Sequence, residues 1–195
     1  MRLFVLARHA QSTLNLQNRV NGDHLVPADL TEVGEAQARL LGQELSALPI
    51  DLYVCTRFRR TRETAELALE GRTVPALEEP LLDDVDVGEL EGWTLDEYRA
   101  WKRAHTRSDP FPGGESLNDA ARRYAQAFRR LLERPEPVML VVVHEIPIRY
   151  ALNAAASSGE LDAPVHDVPN ATPHLFDDSS LERAVAGIEK LARLS

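Results

Sequence analysis

Histidine and arginine side chains follow three apolar runs of the sequence. They are His9 with Arg8 beside it, the arginine-rich segment 57–62, and His144. An imidazole nitrogen is nucleophilic near neutral pH because much of it is already unprotonated, and a guanidinium binds phosphate oxygens through its planar fork without losing its charge. Any one of these positions alone fits a structural role better than a chemical one. Together they predict a candidate phosphate site.

The elements that must bring these residues together alternate between strands and helices. Apolar, largely β-branched runs predict buried parallel strands at 3–7, 52–55 and 138–143. Helical patterns are predicted from the N-cap Thr31 onwards and at about 60–69, 95–104, 116–132, 146–156 and 180–194. This alternation predicts an α/β fold, a three-layer α/β/α sandwich on a mainly parallel sheet. Ligands of such sheets bind beyond the carboxyl ends of the strands, where the histidines and arginines lie.

Length and composition narrow the class of protein. The 195 residues, 44% hydrophobic and 27% charged, predict a single globular domain over 1–195 with no linker. A net charge of −9 argues against nucleic acid or an anionic membrane as the main partner. The small phosphorylated substrate expected for a phosphate site would therefore need a local basic pocket. Cys55 is the only cysteine, which excludes an intrachain disulfide and a cysteine zinc cluster. With no signal peptide or membrane-spanning run in the sequence, we expect a cytoplasmic protein.

Six short blocks in a fixed order connect these motifs. They are Arg8-His9-Ala10-Gln11-Ser12 with Asn15; Arg19, Gly22 and Leu30-Thr31 with Gly34 and Gln37-Ala38; Arg60 with Thr64-Ala65; Gly88 with Glu91-Gly92; Pro112-Gly113-Gly114-Glu115-Ser116; and Val141-Val142-Val143-His144. Across residues 1–176 this order resembles the histidine phosphatase superfamily, in the branch that contains cofactor-dependent phosphoglycerate mutases and their phosphatase relatives. The resemblance implies a phosphoglycerate mutase-like fold and phosphoryl chemistry on a histidine.

The resemblance also implies roles for individual residues. His9 would become the phosphohistidine. Arg8, Arg60 and His144 would bind the transferring phosphoryl group. Asn15 would contact the oxygens of that group, and Arg19 would lie at the substrate entrance.

The proton donor and the residue after the second histidine depart from the family pattern. The family places a glutamate four residues before a glycine, and here Asp84 stands four residues before Gly88. An aspartate keeps the carboxyl chemistry but is shorter by one methylene, and Asp83 and Asp86 are rival candidates. Glu145 stands where the family has glycine, and a carboxylate beside a phosphate is repulsive unless it turns away or meets an arginine, such as one in 57–62.

Two other phosphatase classes fit the sequence poorly. The cysteine phosphatases place an arginine after Cys and five further residues, but that count from Cys55 ends on Thr61. The magnesium-dependent aspartyl phosphatases would use Asp84 with Asp86, but residues 78–82 make a poor strand to carry that motif. The other histidines show no metal-ligand spacing, so no metal site is predicted.

We therefore predict a metal-independent phosphatase, a phosphoric monoester hydrolase that works through a phosphohistidine and needs no cofactor. One alternative is phosphoryl transfer of the phosphoglycerate mutase type. It is disfavoured because the segment 93–134 is compact and leaves little chain to cover the site. The other is a catalytically weak member of the fold that binds a phosphorylated ligand or a partner. Specificity is expected from segments 15–26 and 93–114, and the sequence carries no signal for an oligomeric state.

Overall fold

A five-stranded sheet organises the fold in the computed structural model, which describes residues 2–194. The strands are β1 (Leu3–Arg8), β2 (Leu52–Cys55), β3 (Ala76–Glu78), β4 (Val138–Val143) and β5 (Pro173–Asp177). They lie in the order β3-β2-β4-β1-β5, and all neighbours are parallel except β5, which runs antiparallel to β1. The two apolar strands β1 and β4 are central, which explains their nearly continuous burial.

Across residues 2–194, seven helices accompany this sheet. They are α1 (Thr13–Leu16), α2 (Glu32–Glu44), α3 (Arg59–Ala68), α4 (Leu95–Ala104), α5 (Leu117–Leu132), α6 (Glu145–Ala155) and α7 (Asp178–Leu194). Short 3₁₀ turns lie at Pro80–Leu82 and Gly88–Leu90. No helix described in residues 2–194 combines the length and the apolar character that a membrane span requires.

Alternate residues of the central strands pack against different helix layers. Val5 and Val142 belong to the apolar core that also contains residues of α2 and α3. Phe4 and Val141 belong to the opposite core, with residues of α5, α6 and α7. Successive side chains of a strand point to opposite faces, so the period of two in the strands builds both cores. The architecture is the predicted three-layer α/β/α sandwich.

The three strands and the six longer helices predicted from the sequence are present, with bounds that differ by one or two residues. The helix expected at 60–69 is α3, and that expected at 180–194 is α7. Thr31 caps α2 as predicted, because its side chain accepts a hydrogen bond from the Gly34 amide at 3.0 Å. The short helix α1 and the two outer strands, β3 and β5, were not predicted. β3 has only three residues, and β5 is a partly exposed edge strand without an apolar run.

Close packing of α2 fixes the loop that follows β1. A Cβ atom on Gly34 would lie 2.1 Å from the carbonyl oxygen of Gln11, so only glycine allows this approach. The Thr31 amide donates to the same carbonyl at 3.0 Å. Because Gln11 is two residues beyond His9, α2 supports the loop that begins at the predicted nucleophile.

Candidate active site

The three predicted groups of side chains meet at the carboxyl edge of the sheet. His9 follows β1, Arg60 lies in the first turn of α3 after β2, and His144 caps α6 after β4. A cavity of about 400 Å³ opens at this edge, and His9 and Arg60 lie in its wall. The sequence-based expectation that these strand ends converge is confirmed by the geometry.

His9 is held in a single tautomer by its hydrogen-bond partners. Its Nδ1 lies 2.8 Å from the carbonyl oxygen of Ala10. A carbonyl only accepts, so Nδ1 carries the proton and Nε2 has the lone pair. Nε2 accepts a hydrogen bond from Nε of Arg60 at 3.0 Å. Burial, and then the charges of Arg60 and Arg8, hold the pKa of His9 well below its usual value, so the ring is neutral at physiological pH.

Arg60 is the hub of the site. Its guanidinium is buried, at 3% exposure, and lies over the ring of Phe58 at 4.3 Å. Nη1 donates to the side-chain oxygen of Asn21, and Nη2 donates to the Asn21 carbonyl at 3.2 Å. Burial lowers the pKa of Arg60 to about 10, an effect opposed by Asp84, so the side chain is still charged at neutral pH.

His144 lies behind Arg60 with no exposed surface. Its Nδ1 is 3.1 Å from Nη2 of Arg60, which can only donate, so Nδ1 accepts. The proton is therefore on Nε2, which donates to Oγ1 of Thr56 at 3.1 Å. Burial and the charge of Arg60 hold the pKa of His144 well below its usual value.

Asp84 is the carboxylate that reaches this cluster. Its Oδ2 lies 3.2 Å from Nη2 of Arg60 and 3.4 Å from Nδ1 of His144, and its Oδ1 accepts from the Val85 amide at 3.0 Å. Burial raises the pKa of Asp84, and the neighbouring Arg60 opposes that rise. A carboxyl group with a raised pKa is suited to deliver a proton.

The two rival aspartates point elsewhere. Asp83 forms an ion pair with Nε of Arg57 at 2.6 Å. Asp86 is exposed and accepts from the Gly88 amide at 2.9 Å. Of the three aspartates in this loop, Asp84 alone is recorded in contact with the arginine–histidine cluster.

Arg8 is bound by an acidic neighbour. Its Nη1 donates to the carbonyl oxygen of Val168 at 2.7 Å and lies 3.1 Å from Oε2 of Glu145. The other oxygen of Glu145 pairs with Nη1 of Arg149 at 3.0 Å. Glu145 therefore meets arginines, as one of the two expected outcomes, but they are Arg8 and Arg149 and not members of segment 57–62. Glu145 is the first residue of α6, so Arg149 lies one helical turn away on the same face.

Asn15 and Arg19 both lie in the cavity wall. The side chain of Asn15 also closes a capping box with Ser12, whose amide donates to it at 3.2 Å. Arg19 donates from Nη1 to the Gly92 carbonyl at 2.6 Å, which fixes it at the rim.

The cavity wall also includes residues that carry no motif in the sequence. They are Asn21 on the loop after Arg19, Tyr98, Arg99 and Lys102 on α4, and Arg149 on α6. The segment 93–134, expected to add little cover, thus supplies a wall of the cavity. Lys102 carried no motif, yet burial and the charge of Arg149 lower its pKa to about 8. Both segments named for specificity contribute lining residues.

Within residues 2–194, no three histidine, cysteine, aspartate or glutamate side chains are placed to share a metal ion. The groups that could bind an anion are instead the arginines and histidines described above.

The fold and the buried arginine–histidine cluster are the features that the family resemblance implies. The model of the histidine phosphatase superfamily (branch 1) matches residues 4–177, and the chain belongs to this superfamily.

The similar proteins include both phosphoglycerate mutases and a phosphatase. A 2,3-bisphosphoglycerate-dependent phosphoglycerate mutase of Methylobacterium sp. (strain 4-46) is 38% identical over 68% of this chain and 69% of its own length. The match spans only 62 or 63% of three further relatives with mutase names. Phosphoserine phosphatase 1 of Hydrogenobacter thermophilus is 30% identical over 74% of this chain and 72% of its own.

Solved structures show the same fold. The alpha-ribazole phosphatase from Shigella flexneri superposes with a TM-score of 0.79 at 24% identity, over 90% of each chain. A mycobacterial glucosyl-3-phosphoglycerate phosphatase, in a complex with VO3, gives a TM-score of 0.73 at 25% identity, over 91% of this chain and 93% of the other.

Proposed function

We propose that this protein is a metal-independent phosphatase that hydrolyses a small phosphomonoester through a covalent phosphate on His9. The observation that carries the proposal is the state of His9. Its Nδ1 is tied to the Ala10 carbonyl, and its unprotonated Nε2 lies at the cavity beside Arg60.

The first step transfers the phosphoryl group to the enzyme. When the phosphate oxygens replace Nε2 of His9 as acceptors for Nε of Arg60, Nε2 attacks phosphorus and forms the P–N bond while the bond to the ester oxygen breaks. Arg8 and Arg60, with Asn15 at their edge, surround the three equatorial oxygens and stabilise the charge that builds there. His144 acts on the transferring group through Arg60, because its Nδ1 accepts from Nη2 of that guanidinium. Asp84 gives its proton to the leaving oxygen, so the alcohol departs neutral.

The second step returns the enzyme to its starting state. The Asp84 carboxylate takes a proton from a water molecule, whose oxygen attacks phosphorus and breaks the P–N bond. Inorganic phosphate leaves, Asp84 is again protonated and His9 is again neutral. Arg19 lies at the rim of the cavity and would meet the part of the substrate that does not react.

Hydrolysis of p-nitrophenyl phosphate in the presence of a chelator tests this proposal. We expect turnover that chelator does not change and that His9→Ala abolishes, with the fold intact by circular dichroism. His105→Ala is the matched control because His105 is exposed at the end of α4. Loss of activity with chelator, or activity retained in His9→Ala, would remove the phosphohistidine mechanism.

Phosphoglycerate mutase activity is the second candidate, because the relative at 38% identity carries that name. Both activities share the first half-reaction and differ in whether water or a phosphoglycerate accepts the phosphoryl group. Incubating 3-phosphoglycerate with catalytic 2,3-bisphosphoglycerate separates them. Accumulation of 2-phosphoglycerate faster than inorganic phosphate would favour the mutase. If phosphate binds but no phosphomonoester is turned over, the protein only binds its ligand.

A further inference from the structure

The carboxylate of Glu145 bridges two arginines at the edge of the phosphate site. Oε2 lies 3.1 Å from Nη1 of Arg8, and Oε1 lies 3.0 Å from Nη1 of Arg149. Glu145 is also in the wall of the cavity that contains His9. The acidic residue that departs from the family pattern is therefore in contact with the arginine expected to bind the transferring group.

Each of the two guanidinium groups is fixed on the same segment of backbone. Arg8 donates to the Val168 carbonyl at 2.7 Å, and Arg149 donates to the His166 carbonyl at 3.3 Å. Both arginine side chains are largely buried, at 16% and 9% exposure, so their charges are weakly screened. Glu145 completes this arrangement by holding the two like charges together, which would otherwise repel each other.

Glu145 is also the main counter-charge of Arg8. Within residues 2–194, Arg8 forms one other ion pair, with Asp167 at 3.9 Å, and the Asp167 side chain is 80% exposed. Glu145 is closer and only 28% exposed, so its interaction with Arg8 is the stronger. A phosphate dianion that binds Arg8 must share the cation with Glu145, and it also meets the negative charge of that carboxylate.

The second arginine keeps Glu145 in place when an anion arrives. Arg149 is held by Asp162 at 2.8 Å as well as by Glu145, so a second carboxylate fixes its guanidinium. Glu145 can therefore loosen its contact with Arg8 without losing its own partner. The negative charge stays near the phosphate site in either case.

We propose that Glu145 is a positioning residue that orients Arg8 for the transferring group and weakens the hold of the site on free phosphate, which speeds release of the product. The part about product release rests on the proposed phosphatase function, whereas the part about phosphate affinity does not.

Glu145→Gln tests this role because it removes the charge and keeps the shape of the side chain. We expect the variant to bind orthophosphate about tenfold more tightly by calorimetry, from the loss of one close and partly buried negative charge. In turnover of p-nitrophenyl phosphate, KM should fall together with kcat, because phosphate leaves more slowly and Arg8 is less well oriented. A variant that was merely damaged would bind phosphate more weakly and would have a higher KM.

Asp167→Asn is the matched control. It removes the same charge near the same guanidinium, but from an exposed side chain, and should change phosphate affinity by less than about twofold. Unchanged or weaker phosphate binding in Glu145→Gln would overturn the proposal. Equal tightening in both variants would also overturn it, because the effect would then come from net charge rather than from the contact.

The calorimetric measurement separates this inference from the proposed function. If the wild-type protein hydrolyses no phosphomonoester but Glu145→Gln binds phosphate more tightly, the phosphatase function fails and the role of Glu145 in phosphate affinity stands. If hydrolysis proceeds through His9 but phosphate affinity does not change, the phosphatase function stands and the role of Glu145 fails.

Discussion

Asp84 shows how the surroundings of a residue compensate for its length. The side chain is one methylene shorter than the glutamate that the family resemblance implies, yet its Oδ2 reaches Nη2 of Arg60 at 3.2 Å. Burial raises its pKa, which favours the protonated form that an acid requires. The shortening has thus not removed the carboxyl group from the cluster.

Asp84→Asn should separate substrates by their leaving groups. An aryl oxygen such as p-nitrophenolate leaves without a proton, whereas an alkyl oxygen needs one. We expect kcat/KM to fall by about 10²- to 10⁴-fold for an alkyl phosphate and by much less for p-nitrophenyl phosphate. Steady-state kinetics on the two substrates measure the difference.

The exposed neighbour Asp86 provides the control for that experiment. Asp86→Asn changes the same loop without touching the cluster and should leave both activities within about twofold of the wild type. Equal losses for aryl and alkyl substrates in Asp84→Asn would show that Asp84 does not donate the proton.

The pKa shifts of His9 and Asp84 predict an acidic optimum. His9 must be neutral to attack, and its lowered pKa keeps it neutral below pH 6.5. Asp84 must be protonated, and its raised pKa retains the proton to a higher pH than an ordinary aspartate. We expect kcat/KM for an alkyl phosphate, whose leaving oxygen needs the proton, to be greatest below pH 6.5 and to fall as pH rises. In Asp84→Asn this fall should flatten, and an optimum above pH 7 in the wild type would contradict the assignment.

Residues at strand ends could be predicted from the sequence, and residues that reach the cavity from elsewhere could not. His9, Arg60 and His144 follow apolar runs, so the topology of a parallel sheet brings them together. Asn21 accepts from Arg60 but lies in a loop, where no period or motif relates it to the cluster. Lys102 has the spacing of an ordinary helix surface residue, and only the packing of α4 over the cavity gives it a role.

At the scale of elements, α2 is fixed by two glycines at opposite ends of its inner face. A Cβ on Gly34 would lie 2.1 Å from the Gln11 carbonyl oxygen, and one on Gly42 would lie 2.3 Å from that of Ala68. The first contact supports the loop after His9, and the second supports the end of α3. Both are close approaches to backbone, which cannot move as a flexible side chain does.

Alanine variants of the two glycines should therefore have similar effects on stability but different effects on phosphate binding. Gly34→Ala and Gly42→Ala should each lower the free energy of unfolding by about 1–3 kcal/mol, because overpacking displaces backbone. Only Gly34→Ala should also weaken orthophosphate binding, since it displaces the loop that begins at His9. Urea denaturation and calorimetry measure the two effects. Equal phosphate affinities in the two variants would show that α2 does not position this loop.

The strands at the edges of the sheet could not be predicted from the sequence, whereas the central strands could. The central strands β1 and β4 are buried on both faces and therefore read as apolar runs. β5 contains His174 and Asp177 and is partly exposed, so its pairing with β1 depends on the tertiary structure rather than on a local pattern.

At the scale of the whole molecule, the cavity is lined by positive charge although the protein as a whole is negatively charged. The chain carries a net charge of −9, but the cavity wall is rich in basic residues: Arg8, Arg19, Arg60, Arg99, Lys102 and Arg149. Composition alone predicted that an anionic substrate would need a basic pocket. It could not predict that the pocket would keep Glu145 among these cations, because that depends on where α6 begins.

Stability should depend on pH through the buried histidines. His9 and His144 are neutral in the folded protein because burial lowers both pKa values, whereas in the unfolded chain they titrate near 6.5. As pH falls below about 6.5 the unfolded chain binds protons that the folded protein does not, so the free energy of unfolding falls. The slope contributed by each histidine approaches about 1.4 kcal/mol per pH unit.

Comparison of variants isolates this contribution. The raised pKa of Asp84 makes the free energy of unfolding fall as pH rises above the usual pKa of an aspartate. The pH dependence of the wild-type protein alone therefore combines the two opposing effects. His144→Asn should flatten the pH dependence of the free energy of unfolding between pH 7 and 5 even where it lowers the stability itself. His105→Asn, at an exposed position, should leave the slope unchanged. Urea denaturation at several pH values measures these slopes, and equal slopes in all three proteins would mean that His144 binds its proton equally well in the folded and unfolded states.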